Sequence, residues 1–226
     1  MQRVNRLSLL FSVLVMFGLV GCGGAPRTVA FGTPENISLS GPAVESEITD
    51  ALYRLVPRCI TVRAVGFGGA DRGVADIVEK SMVRHARDRF DRVIGGAARR
   101  GLERKLAVDL SHDRDRQVFA SHTGCRHFLD ISPWKSEDGY FLVWSRRSIG
   151  LSVRLTGIDG RKTLWRARHA AYRQDGGLPL SPLGFLFDVA RAGAFQADPD
   201  IPYSLADDLA RRLFTLLPDM RSLAQR

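Results

Sequence analysis

Ile149-Gly-Leu-Ser-Val-Arg-Leu-Thr156 decides the fold. Ile149, Leu151, Val153 and Leu155 fall on one face of an extended chain, and Ser148, Ser152, Arg154 and Thr156 on the other. Period-two alternation of this kind marks a strand buried on one side only, as antiparallel sheets allow. Asp159-Gly160 follows as a hairpin turn signal, and Lys162 to Tyr172 returns with Trp165, Ala167 and Ala171 sharing a face.

Working back from the hairpin, Cys125-Arg-His-Phe-Leu-Asp-Ile-Ser132 reads as a strand. Pro133-Trp134 and Glu137-Asp-Gly139 are expected to form a turn, with a new strand starting at Tyr140. Residues 97–123 are polar and helical in character. Leu102, Leu106, Ala107 and Leu110 form one stripe, Val118, Phe119 and His122 a second, and Gly124 is placed to end the helix. Phe90 to Ile94 is a short strand, and Arg72 to Arg89 a helix with Val74, Ile77, Val78, Met82 and Ala86 on one face. Cys59 to Phe67 is a strand rich in β-branched residues. Glu45 to Val56 is expected to be a short helix that stops before Pro57. At the other end, Ser204 with Asp207 three residues on is expected to cap a final helix. Leu205, Leu209, Leu213 and Leu216 line that helix. The predicted class is α/β: a mixed sheet of about five strands with helices packed on it, βαβαβ followed by a β-hairpin and a C-terminal helix.

The amino terminus carries Arg3 and Arg6, then an apolar run from Leu7 to Val20 that ends in Leu19-Val20-Gly21-Cys22. A basic segment before an apolar run of this length is a signal peptide, too short for a spanning helix. Leu-Val-Gly-Cys resembles the bacterial lipobox. That resemblance implies removal of residues 1–21, acylation (palmitate-type chains) of Cys22, and stable anchoring by several acyl chains. Gly23, rather than an aspartate, favours the outer membrane over the inner. Residues 22–44, rich in Gly, Pro, Ser and Thr, are expected to be a lipidated flexible tether. Residues 45–226 are expected to form a single domain.

Loss of Arg3 and Arg6 lowers the formal charge of +9 by two, to about +7. For a chain outside the cytoplasm this points to anionic headgroups or wall polymers rather than nucleic acid, and ordinary solubility charge is the reading preferred over either. Cys59 and Cys125 start the first and third strands, which a 2-1-3 order makes parallel neighbours. A disulfide there fits an oxidising periplasm, and two buried thiols are the alternative.

Other clusters carry weaker chemistry. His122, Cys125 and His127 offer no evident third and fourth metal ligands, nor an orienting group for a nucleophile, so neither a metal nor a catalytic site is expected, and no cofactor. Gly66 to Gly73 could cradle a phosphate, or be a loop with Asp71 as a helix cap. Asp130 and His169 could pair across strands. Leu183, Phe185, Leu186 and Phe187, flanked by proline and glycine, are either a docking surface for a partner or a cover over the sheet.

Asp88-Arg-Phe-Asp-Arg-Val-Ile94, the strand after Gly124-Cys125, and the positions Ile131, Trp134, Tyr140, Arg154-Leu155, Gly160 and Leu164-Trp165 resemble the CsgG, LpoB and TolB N-terminal-like group of bacterial envelope proteins. The nearest resemblance is to a family of uncharacterised periplasmic lipoproteins within it. It covers roughly residues 57–217. It implies a non-enzymatic accessory or assembly factor for an envelope transport, secretion or cell-wall system, bound to the membrane through Cys22 and to an envelope protein partner. The pore-forming members need an added strand pair long enough to span a bilayer, and no such second pair is evident here. A periplasmic enzyme, or a small-ligand or phosphate binder, is the alternative.

Overall fold

A computed structural model describes residues 28–31, 43–67, 72–141, 144–175 and 200–225. Its described residues form one mixed seven-stranded sheet with helices on both faces. The strands are β1 (Thr28–Ala30), β2 (Val44–Ile48), β3 (Cys59–Ala64), β4 (Arg92–Ile94), β5 (His127–Phe141), β6 (Trp144–Thr156) and β7 (Thr163–Asp175). The helices are α1 (Asp50–Leu55), α2 (Arg72–Ala86), α3 (Gly96–Leu106), α4 (Asp113–Thr123), α5 (Ile201–Thr215) and α6 (Met220–Leu223). The strand order is β1-β2-β7-β6-β5-β3-β4. β4, β3 and β5 run parallel, which gives the expected 2-1-3 arrangement, and β5, β6 and β7 form an antiparallel meander.

The alternation starting at Ile149 sets the two faces. Leu151, Val153 and Leu155 are fully buried, Ser152 is half-buried and Arg154 is exposed. Trp165 and Ala167 on β7 continue the apolar face and are fully buried. α2 and α5 lie side by side over it, contributing Val78, Met82, Leu205, Leu209 and Leu213. The Trp165 and Phe214 rings stand 5.7 Å apart between centroids, and the indole nitrogen donates to Ser46 Oγ at 3.1 Å. Each such side chain contributes about 1.5–3 kcal/mol on burial. Among the described residues the other face is covered at the β3–β5 end, where Ile94, Leu110, Phe119, Cys125 and Phe128 form a second cluster under α3 and α4.

Several local expectations are corrected. Glu45 to Val56 is not one helix: Val44–Ile48 is a strand antiparallel to β7, and only Asp50–Leu55 is helical. Val44, Ser46 and Ile48 alternate with Glu45 and Glu47, and ladder bonds to β7 outweigh the helical spacing of Ile48, Ala51, Leu52 and Leu55. Pro133 to Gly139 is not a turn, because β5 continues through it to Phe141 with a register shift between Pro133 and Ser136. A bulge absorbs the proline, which cannot donate to the ladder. α5 begins at Ile201, with Pro202 in its first turn, so Ser204 lies inside the helix and its hydroxyl donates to the Ile201 carbonyl at 2.9 Å. Of the stripe Val118, Phe119 and His122, Phe119 is buried, next to Ala120, while Val118 is 45% exposed and His122 is exposed. Within residues 22–44, Thr28–Ala30 forms the edge strand β1, parallel to β2, so the sheet starts well before residue 45. Residues 1–27, including the signal segment and Cys22, lie outside the described residues.

Candidate interaction surface

Cys59 and Cys125 are joined by a disulfide, their Cα atoms 5.1 Å apart. Cys59 opens β3 and Cys125 lies two residues before β5, not within it, and parallel pairing from Ile60–His127 brings the two cysteines together. Cys125 sulfur is therefore committed to Cys59 and serves neither as a metal ligand nor as a nucleophile beside His122 and His127. No group of three or more metal-ligating side chains occurs among the described residues. Burial holds the His127 imidazole below its ordinary protonation range.

Asp130 and His169 do not pair. Asp130 accepts from Arg63, while His169 lies on the opposite face and donates through Nδ1 to the Ala43 carbonyl at 3.3 Å. The two strands are separated by β6, and the residues point to opposite sides of the pleat. Of the Gly66–Gly73 loop, residues 68–71 lie outside the described residues, as do Leu183, Phe185, Leu186 and Phe187.

The partly covered face carries the chemistry that the sequence reading missed. Register across the sheet sets Glu47, Arg166, Arg154, Asp130 and Arg63 in one row, on β2, β7, β6, β5 and β3. The two ends of the row are neutralised. Arg166 pairs with Glu47 at 2.5 Å, and Arg63 with Asp130 at 2.6 Å. Arg63 also donates to the Leu110 carbonyl, and its guanidinium stands 5.8 Å from the centroid of the Phe128 ring. Burial pulls the Arg63 guanidinium below its ordinary value, with Asp130 opposing that shift. Arg154, in the middle, is exposed and has no hydrogen-bond or ion-pair partner among the described residues.

The adjacent row holds Glu45, Arg168, Ser152 and Ser132. Arg168 pairs with Glu45 at 2.8 Å, and its guanidinium stands 5.0 Å from the centroid of the Phe31 ring and 4.7 Å from that of Trp134. Arg166 lies 4.2 Å from the same Phe31 ring. Cation–ring contacts of this kind hold guanidinium planes in fixed orientations. The result is an arginine and aromatic patch beside the β1 edge, with Arg154 as its cation left unpaired among the described residues. Alternation had assigned Ser152 and Arg154 to a polar face, but only the register of five strands brings the row together.

No family model matches this chain, and no curated protein does. Among solved structures it is similar to the PelC dodecamer from Paraburkholderia phytofirmans, at 13% identity and a TM-score of 0.39, covering 76% of this chain and 96% of that one. It is also similar to lipoprotein GNA1162 from Neisseria meningitidis, at 15% identity and a TM-score of 0.39, covering 63% of this chain and 100% of that one. A third similarity is to the LpoB C-terminal domain from Salmonella enterica, at 14% identity and a TM-score of 0.31, covering 51% of this chain and 82% of that one.

Proposed function

We propose that this chain is a lipid-anchored lipoprotein of the bacterial envelope, of the CsgG, LpoB and TolB N-terminal-like kind. It acts by binding rather than by catalysis, as an accessory factor at the periplasmic face of the outer membrane. One observation carries this reading. β1 begins at Thr28, and five residues separate it from Cys22, the last residue of Leu19-Val20-Gly21-Cys22. An acylated Cys22 would hold the folded domain close against the membrane, not at the end of a long tether. Confinement there raises the effective concentration of the domain toward any membrane-bound partner. The face around Arg154, left exposed by the described residues, suits an acidic surface on such a partner, since the flanking arginines are already oriented by Glu45, Glu47, Phe31 and Trp134.

The test is the intact mass and the membrane partition of the protein from cells. The expected mass is that of a chain starting at Cys22 plus its acyl groups, with the protein in the membrane fraction. A Cys22→Ala variant is expected to lose both. A soluble, unacylated wild-type protein would sink the reading.

A further inference from the structure

We infer that the β5–β6–β7 ribbon is a second membrane contact, with its aromatic tip seated in the lipid headgroup layer at the same end of the domain as the lipid on Cys22. This rests on the proposed anchor and adds a second attachment point, which together with the first fixes how the domain stands on the bilayer.

The topology supplies the first part of the argument. β3 ends at Ala64, opposite Ile131, and β2 begins at Val44, one position beyond the Glu45–Arg168 pair. Past those levels β5, β6 and β7 go on without further strand partners among the described residues, paired as far as Phe141–Trp144 and Ser145–Asp175. At about 3.4 Å per residue, the six steps from His169 to Asp175 carry the ribbon roughly 20 Å beyond the last residue of the short strands.

Chain direction supplies the second. β1 is parallel to β2, and β2 is antiparallel to β7. Thr28, the first residue of β1, therefore stands at the end of the sheet toward which β7 runs. The six steps from Cys22 to Thr28 span at most about 20 Å. An acyl group on Cys22 can thus reach the plane of the ribbon tip and not far past it.

Sequence at the tip supplies the third. Register sets Phe141 opposite Trp144 and Tyr140 opposite Ser145, so three aromatic residues occupy the last two rungs. Tyrosine and tryptophan are the residues that favour the boundary between headgroups and acyl chains. The next two rungs hold Gly139, Arg146 and Gln174, then Asp138, Arg147 and Arg173. With Asp175 opposite Ser145, the last four rungs hold three arginines and two aspartates, a cationic excess of one toward an anionic headgroup layer.

The experiment uses the full lipoprotein reconstituted into vesicles of phosphatidylethanolamine and phosphatidylglycerol, with or without brominated acyl chains. Tryptophan emission is compared between wild type and Trp144→Phe, a variant that keeps an aromatic ring at the tip. Trp134 and Trp165 remain in both and cancel in the difference. The expected result is that brominated lipid removes most of the emission belonging to Trp144. Equal emission with and without bromine, with acylation of Cys22 confirmed by mass, overturns the ribbon contact and leaves the anchor standing. A blue-shifted Trp144 that bromine does not quench assigns the tip to a protein contact and also overturns it. Unacylated protein overturns both proposals.

Discussion

Arg63 and Asp130 stand opposite each other on parallel strands β3 and β5, with a nitrogen–oxygen distance of 2.6 Å and only 7% and 12% of their side chains exposed. Arg63 and Arg116 both donate to the Leu110 carbonyl, so the pair also ties the loop between α3 and α4 to the sheet. Removing one partner of a buried pair strands the other charge. Arg63→Met is therefore expected to lower stability by about 3–5 kcal/mol in urea denaturation. The double variant Arg63→Met/Asp130→Leu is expected to recover most of that loss, because Arg116 still serves Leu110 at 2.7 Å. A double variant as weak as the single one would show that the pair itself stabilises the fold.

The Cys59–Cys125 bond closes a sequence separation of 66 residues. On the chain-entropy model a loop of that size contributes about 4 kcal/mol. Cys59→Ser/Cys125→Ser is expected to lose about that much in equilibrium unfolding. Thiol titration of denatured, unreduced wild type is expected to find neither of these two cysteines free, and free thiols at both would remove the bond from the stability account.

Gly95 precedes α3 where α2 passes closest, and a Cβ there would collide with Val83 Cγ2. Its φ of −156° is open to any residue, so the constraint is space alone. Gly95→Ala is expected to cost about 1–3 kcal/mol by overpacking. Adding Val83→Ala should return part of the loss, since the shortened side chain vacates the colliding position. Thermal unfolding of the two variants checks both statements.

His127 and His169 are both held below the ordinary imidazole value, chiefly by burial. For His169 the Ala43 carbonyl and Asp208 oppose that shift, and Arg212 adds to it. The unfolded chain therefore takes up protons first as the pH falls. The stabilising contribution of the neutral rings is complete above the unfolded value of about 6.5, and it is lost as pH falls from there through the folded values. The urea midpoint is expected to drop between about pH 7.5 and about pH 5, and His169→Gln is expected to flatten that drop. An unchanged slope in the variant would clear His169 as a cause.

Much of the sheet core was legible. The alternation from Ile149 to Leu155, the return from Trp165, and the 2-1-3 order that joins Cys59 to Cys125 all follow from local pattern and chain order. β2 is not legible locally, because Ile48, Ala51, Leu52 and Leu55 mimic a helix and the partner strand lies more than a hundred residues away. β5 was cut short because Pro133 and Gly139 are turn residues that a bulge in a long ribbon can also hold. Arg63, Arg154 and Arg166 carried no signal of a shared row, since each is an ordinary polar position on its own strand.

The sequence by itself determined the lipobox-like segment ending at Cys22, the α/β class, and which face of β6 is apolar, because these depend on residues close together along the chain. Tertiary structure alone decided the rest. It set the charged row from Glu47 to Arg63, the five residues between Cys22 and the first strand, and the level at which Phe141 and Trp144 meet. Those depend on strand register, and register is fixed by which distant segments bury their apolar faces together.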